Sequence, residues 1–144
     1  MTPAGDPEPD YGSAAELRRA LRRLAHATEE VTRRHGLTPR RYELLLYVKA
    51  AEVASAPSTV TSLCDDLQTT QGSVTQLVDG VVRAGLLRRI RSARDRRSHT
   101  LELTPLGEQR LRGAFLELGS ERDRLAAVVN RRFPAPPGPA SVSV

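Results

Sequence analysis

The chain has 144 residues, a length that suits one domain of ordinary size with a single modest core. Aromatic residues make up only 3% of it against 39% hydrophobic residues, so Leu, Val and Ala must build that core, and such a composition favours helices over sheets. The 22 basic and 17 acidic residues leave a net charge of +5, which favours nucleic acid or another polyanion as a partner.

No apolar run approaches the roughly 20 residues that a membrane span needs, and the N-terminal residues contain no apolar signal region. Cys64 is the only cysteine, which excludes an intramolecular disulfide and fits a reducing compartment. We therefore expect a soluble cytoplasmic protein without membrane contact.

Residues 1–12 hold three Pro and three acidic residues and are predicted to form a disordered tail. A first helix is predicted to begin at the cap Ser13, with Glu16 in the capping-box position, and to end before Gly36. Its apolar side chains recur at spacings of three and four and so share one face. They are Leu17, Leu21, Leu24, Thr28 and Val31. The arginines largely off this face are interpreted as solvated; they are Arg18, Arg19, Arg22 and Arg23.

A second helix is predicted to start with Thr38 as its cap and Pro39 at its first position. The following segment is apolar nearly all round, so this helix should be central and well buried. Tyr42 and Tyr47 in this helix have two interpretations. They pack in the core with their hydroxyls at its rim, or they line a small-molecule pocket.

Two further helix patterns follow, separated by a tight turn at Gln68 and Thr69. Thr59 is a good cap for the first pattern, and Thr70 caps the second, which Gly85 should end. The second helix has a buried valine-rich face and an opposite face of short polar residues. Gly80 in its middle costs about 1 kcal/mol relative to Ala, which indicates close packing or close approach to a ligand.

A β-hairpin is predicted next, with strands over residues 86–91 and 98–104 around a polar loop. Between Arg83 and Arg97 the sequence has seven arginines and one acidic residue. Because 21 of the 22 basic residues are arginine, codon bias could raise the total, so this local concentration is more informative than the net charge.

Thr104 and Pro105 begin a last helical region, which Gly119 and Ser120 interrupt, so one bent helix or two short helices fit it equally. The Pro-rich residues 134–144 are predicted to form a second disordered tail. The fold class expected is mainly α with a small β wing. It is a winged helix-turn-helix whose N- and C-terminal helices form a dimerisation region.

This order of elements suits a protein that binds DNA. A helix placed after a tight turn fits the major groove, where Gln can bond adenine and helix N–H groups can hold a phosphate. Arginines of the wing can neutralise phosphates or enter a narrow minor groove, and Asp95 would orient Arg97. The predicted DNA-binding residues are Thr70, Gln71, Gly72, Ser73, Thr75, Gln76, Arg88, Arg94, Asp95, Arg96 and Arg97.

The chain resembles the MarR family of bacterial transcription regulators over residues 17–107. The matching text is GLTPRRYELL, VTSLCDDL, SVTQLVDGVVRAGLLRR, the DRRS of the wing and the LELTPLG that follows it. This resemblance implies one winged-helix domain over residues 13–133, with a DNA-binding lobe at about 53–104. It also implies intertwined dimerisation helices at about 13–35 and 105–133. Only some 28 residues follow Pro105 before the Pro-rich tail, so part of the family's long fifth helix is expected to be missing.

Family members often bind phenolic or other organic acids between the dimer helices and the DNA-binding lobe. The residues implied for such a ligand here are Arg22, Arg23, His26, Tyr42 and Tyr47. Cys64 is either a small buried residue or a redox sensor. No cofactor or metal is expected, because His26, His35 and His99 are far apart in sequence. The absence of a phosphate loop, a nucleophile motif and paired carboxylates argues against an enzyme.

The sequence therefore predicts a homodimeric repressor that binds an inverted repeat in double-stranded DNA and is released by a small organic ligand. A winged-helix module for protein contacts, a ligand-independent DNA-binding regulator and a Cys64 redox sensor are the alternatives.

Overall fold

The computed structural model describes residues 5–91 and 99–138. It consists of six helices and a two-stranded antiparallel sheet, which confirms the predicted class of a mainly α fold with a small β wing. The elements in chain order are α1 (Tyr11–Arg34), α2 (Pro39–Val53), α3 (Val60–Leu67), α4 (Gln71–Arg83), β1 (Leu87–Arg91), β2 (His99–Leu103), α5 (Pro105–Glu117) and α6 (Gly119–Arg132).

The start of α1 differs from the prediction. The helix begins at Tyr11, two residues before Ser13, and the carboxylate of Asp10 accepts the Ser13 backbone N–H at 2.9 Å. Hydrogen bonds from Ser13 lower the pKa of Asp10. Ser13 itself is buried. Asp10 is therefore the residue that caps the helix. Both Asp10 and Ser13 have side chains suited to capping, so the local pattern alone could not show which of them would do so.

Helix α2 is central, as its sequence predicted. Thr38 caps it by accepting the Arg41 backbone N–H at 3.2 Å, and Gly36 takes the positive φ of 70° that ends the preceding helix region. Leu44 and Leu45 are fully buried. The helix packs against α3, α5 and β2, so it supports the first helix of the helix-turn-helix and the hairpin.

The helix-turn-helix follows the predicted capping pattern. Thr59 caps α3 in a capping box with Ser62, and the turn after α3 places Gln68 in the left-handed region at φ 49°. The hairpin pairs Leu87 with Leu103, and its inward leucines complete the core beside α2. Strand β1 begins one residue later than predicted and ends at Arg91 as predicted, and β2 ends one residue earlier than predicted. The predicted start of β2 at residue 98 lies outside the described residues.

The described chain forms two compact units. One contains residues up to Ala27 together with those from Leu118 onwards, and the other runs from Thr28 to Glu117. In the first unit, Glu16 forms ion pairs with Arg131 and Arg132. The second unit contains the complete helix-turn-helix and both strands.

The C-terminal region forms two helices rather than one bent helix. Helix α5 has 13 residues and α6 has 14, with Leu118 between them. Within the described ranges, none of the helices is long and apolar enough to cross a membrane.

Candidate nucleic-acid interface

The first turn of α4 is held by its own cap. The Thr70 hydroxyl accepts the Ser73 backbone N–H at 3.2 Å and donates to the Ser73 hydroxyl at 3.0 Å. Thr70 and Ser73, both predicted to contact DNA, are therefore hydrogen-bonded to each other. The N–H groups of Gln71 and Gly72 have no partner inside the helix, and such groups are suited to hold an anion.

The face of α4 opposite its core side is polar and exposed. Val74, Val78 and Val81 are fully buried on one side. At 100° per residue, Gly72, Gln76 and Arg83 lie together on the opposite side. All six residues predicted to read DNA from this region are exposed. They are Thr70, Gln71, Gly72, Ser73, Thr75 and Gln76.

The predicted wing residues divide into two groups. Arg94, Asp95, Arg96 and Arg97 lie outside the described residues. Arg88 is exposed on β1, but it forms an ion pair with Glu102, which is its direct partner in the β1–β2 register. Its charge is therefore partly offset within the hairpin.

A second ion pair joins the hairpin to α4 and was not predicted. Arg89 of β1 binds the carboxylate of Asp79 in α4. The sequence places Arg88 and Arg89 next to each other in a strand, so their side chains point to opposite faces. It could not indicate which acid each one meets.

Some arginines at this surface have no carboxylate partner among residues 5–91 and 99–138. Arg91, at the end of β1, and Arg83, in the last turn of α4, are exposed and form no such ion pair. Sequence reasoning did not single them out individually, although both lie in the arginine-rich stretch. They are cations available to phosphates, one at the last residue of α4 and the other at the last residue of β1.

The residues implied for a small ligand are not gathered into one site within either unit. Arg22, Arg23 and His26 lie exposed on the part of α1 in the first unit, whereas Tyr42 and Tyr47 belong to the second. The two tyrosines are five residues apart on α2 and so lie about 140° apart around its axis. Tyr42 is buried, which agrees with its packing interpretation.

Tyr47 interacts within its own helix. Its hydroxyl donates to the Glu43 carboxylate at 3.2 Å. Burial, followed by the negative charge of Glu43, raises the pKa of Tyr47, so the phenol stays neutral and remains a hydrogen-bond donor.

An apolar groove lies elsewhere, between α2 and α5. Its volume is about 420 Å³, and it contains none of the predicted ligand residues. It is lined by Leu46, Lys49, Ala50, Val53, Glu108, Leu111, Arg112 and Phe115. At its edge, Lys49 donates to Glu108 at 2.5 Å.

Cys64 lies half-buried in α3 as a free thiol. In the parts of the chain that the structure describes, no three His, Cys, Asp or Glu residues come together as a metal site would require.

The fold and this surface define a winged helix-turn-helix protein. The MarR family model matches residues 35–98, which confirms the resemblance that the motifs of the chain carry. No sequence among the curated proteins matches the chain.

Solved structures share the fold over most of the chain. One is a point mutant of S. aureus MepR bound to an oligodeoxyribonucleotide, with 19% identity, a TM-score of 0.65 and coverage of 83% of this chain and 84% of that one. Another is wild-type apo MarR from E. coli, with 18% identity, a TM-score of 0.65 and coverage of 85% and 86%. A third, a MarR family transcription regulator, is 26% identical, with a TM-score of 0.63 and coverage of 84% and 76%.

Proposed function

We propose that this protein is a DNA-binding transcription regulator that acts as a homodimeric repressor of an inverted-repeat operator. The observation that carries the proposal is the exposed polar face of α4. This face has Gln76 near its centre and the capped Thr70 turn at its start, on the outer side of a well-packed core. An α-helix of this kind fits the major groove, which is about 12 Å wide.

The structural relatives support DNA as the partner. The S. aureus MepR–DNA complex has the same fold, with 20% identity, a TM-score of 0.61 and coverage of 82% of this chain and 84% of that one. Arg83 and Arg91, which have no carboxylate partner among the described residues, supply the positive charge that phosphate binding needs.

Exposed apolar side chains support a second copy of the chain as a partner. They lie on or next to the helices that the family resemblance assigns to dimerisation: Tyr11, Leu21, Leu106, Phe115, Leu116, Val129 and Phe133. Leu116 is 61% exposed in the single chain, and burying it would be favourable. Two copies would read two half-sites about 34–36 Å apart.

The DNA-binding proposal is tested by footprinting and gel-shift titration on the DNA upstream of the gene. We expect protection of an inverted repeat and binding that weakens steeply with salt. Gln76→Ala should relax base preference without changing the salt slope, whereas Gln109→Ala, an exposed glutamine of α5, serves as the matched control. Absence of binding at low salt, or binding without preference for an inverted repeat, would instead favour the protein-interaction alternative.

The homodimer is tested by sedimentation of the purified protein. One chain has a mass of 15.8 kDa, and we expect the purified protein to have twice that mass. Leu116→Arg should dissociate the dimer, whereas Val53→Arg, at another exposed apolar residue, is the control. Protection of both half-sites by a monomeric protein would contradict the proposal that a homodimer binds the operator.

A small organic acid is the proposed inducer, and the α2–α5 groove is the observation that favours it. Its apolar walls suit an aromatic ring, and Arg112 at its side suits a carboxylate. A thermal-shift panel of aromatic acids tests this, with Phe115→Asp expected to abolish any shift. No shift with any acid would favour a ligand-independent regulator.

The redox alternative has its own test. It would be favoured if peroxide treatment abolished DNA binding of the wild-type protein but not of Cys64→Ser.

A further inference from the structure

The side chain of Arg41, in the first turn of α2, lies beside the middle of α4. A Cβ atom built on Gly80 would lie 3.4 Å from the Nη2 atom of Arg41, so the guanidinium lies against the backbone of α4 at this position. Gly80 and Gly72 are the two residues of α4 without a side chain. An alanine Cβ would still fit at Gly80, whereas a larger side chain at that position would meet the guanidinium.

The position of Gly80 places Arg41 on one flank of the exposed face of α4. Relative to Gln76, Gly80 lies about 40° to one side of the helix axis and Asp79 lies about 60° to the other side. Asp79 binds Arg89 of β1. The exposed face therefore has an arginine on each flank, one from α2 and one from the hairpin.

The two flanking arginines differ in their pairing with carboxylates. Arg89 is paired with Asp79, whereas Arg41 has no carboxylate partner within the ranges that the structure describes. Arg41 is also half-exposed rather than buried. Among the described residues, nothing compensates its positive charge beside the exposed face of α4, so this charge can bind an external anion.

A helix in the major groove has a sugar–phosphate strand on each side, because the groove is about 12 Å wide and an α-helix with its side chains is about 10–12 Å across. We propose that Arg41 is a DNA-contacting residue that binds the phosphate strand on the α2 side of α4. Gly80 is a positioning residue that leaves room for the guanidinium. This inference rests on the proposed function, and it assigns α2 a direct part in DNA binding in addition to its place in the core.

The test measures the affinity of the full-length protein for the footprinted DNA as a function of salt. Arg41→Gln should lower the slope of log affinity against log salt by about 1 for each bound copy, and weaken all sequences equally, as loss of a phosphate contact requires. Arg18→Gln, which removes an exposed arginine of α1 with the same change in net charge, should leave the slope unchanged.

The outcomes separate this inference from the proposed function. If the wild-type protein does not bind DNA, the proposed function fails and the inference fails with it. If the wild-type protein binds and Arg41→Gln keeps the full salt slope, the inference alone is overturned. An equal loss in Arg18→Gln would also overturn it, since the effect would then follow net charge.

The role of Gly80 is tested with two variants whose folding is checked by circular dichroism. Gly80→Ala adds a Cβ that fits at 3.4 Å and should leave the slope unchanged. Gly80→Leu should displace the guanidinium and lower the slope as Arg41→Gln does, with no further loss when both changes are combined. Additive losses would mean that the leucine blocks DNA directly, which contradicts the positioning role. If Gly80→Leu does not fold, Arg41→Gln still decides the proposal.

Discussion

The Thr104 hydroxyl donates a hydrogen bond to the carbonyl oxygen of Gly85 at 2.5 Å, which ties the start of α5 to the turn that ends α4. The same hydroxyl accepts the Gly107 backbone N–H at 3.1 Å and so caps α5. The Thr104 backbone N–H donates to the carbonyl of Leu86 at 3.1 Å. Thr104 thus joins the base of the hairpin to the end of α4, and the position of the hairpin relative to α4 depends on it.

Thr104→Ala should lower the free energy of unfolding by about 1–2 kcal/mol, because it removes a helix cap and an additional hydrogen bond. Urea denaturation measures this change. Thr104→Ser keeps the hydroxyl and should retain most of the stability. A loss in the serine variant as large as in the alanine variant would show that the methyl group, rather than the hydrogen bonds, matters.

Gly107→Ala should destabilise the protein by about 1–3 kcal/mol, as forced overpacking does. A Cβ at this position would lie 2.1 Å from the carbonyl oxygen of Leu86, which is a backbone atom and cannot swing away. Gly72→Ala is the matched control, because its added Cβ would meet nothing within 4 Å and α4 should gain helix propensity. Equal urea midpoints for the two variants would contradict the close approach of α5 to Leu86.

Asp79→Asn should strengthen binding to DNA at low salt and steepen the salt slope, because Arg89 loses its carboxylate partner and becomes free to bind phosphate. The cost in stability should stay below about 1 kcal/mol, since both partners are more than one-third exposed. Asp123→Asn removes one exposed acid from α6 and is the control for net charge. The same gain in both variants would argue against a specific role of the Asp79–Arg89 pair.

Stability should fall on acidification in part through Glu117. This carboxylate binds Arg34 at 2.8 Å and lies 3.2 Å from the Nε2 atom of His35, which joins the ends of α1 and α5. The hydrogen bond from Arg34, followed by the contact with His35, lowers the pKa of Glu117 below its usual value of 4.5.

Because the folded-state pKa of Glu117 is the lower one, the stabilisation that it contributes is present above pH 4.5 and disappears as the pH falls through the folded-state pKa. Urea midpoints of the wild type and Glu117→Gln should differ at pH 7 and converge towards pH 3. A difference that stays constant with pH would exclude ionisation of Glu117 as its cause.

The caps and turns could be predicted because they are local. Thr38, Thr59 and Thr70 each meet a backbone N–H three residues later, and Gly36 and Gly85 have the positive φ that follows a helix end. The same local pattern failed at the start of α1. Two eligible residues, Asp10 and Ser13, lie within one turn there, and the burial of Ser13 left the cap to Asp10.

The candidate ligand site could not be predicted residue by residue. Tyr42 and Tyr47 are close in sequence but lie on different sides of α2, and the groove depends on where α5 packs against that helix. Proximity in sequence carries no information about which helix faces which, so the sequence could not indicate that side chains of α5 line this groove.

The sequence by itself determined the order of helices, the turn before α4 and the polar face of that helix, because periodicity and capping act over three or four residues. Only the tertiary structure decided the pairing of Arg88 and Arg89 with acids and placed Arg41 beside Gly80, where no carboxylate of the described residues pairs with it. The physical reason is that a charge is neutralised by whatever packing brings within about 4 Å of it, and that neighbour can come from any part of the chain.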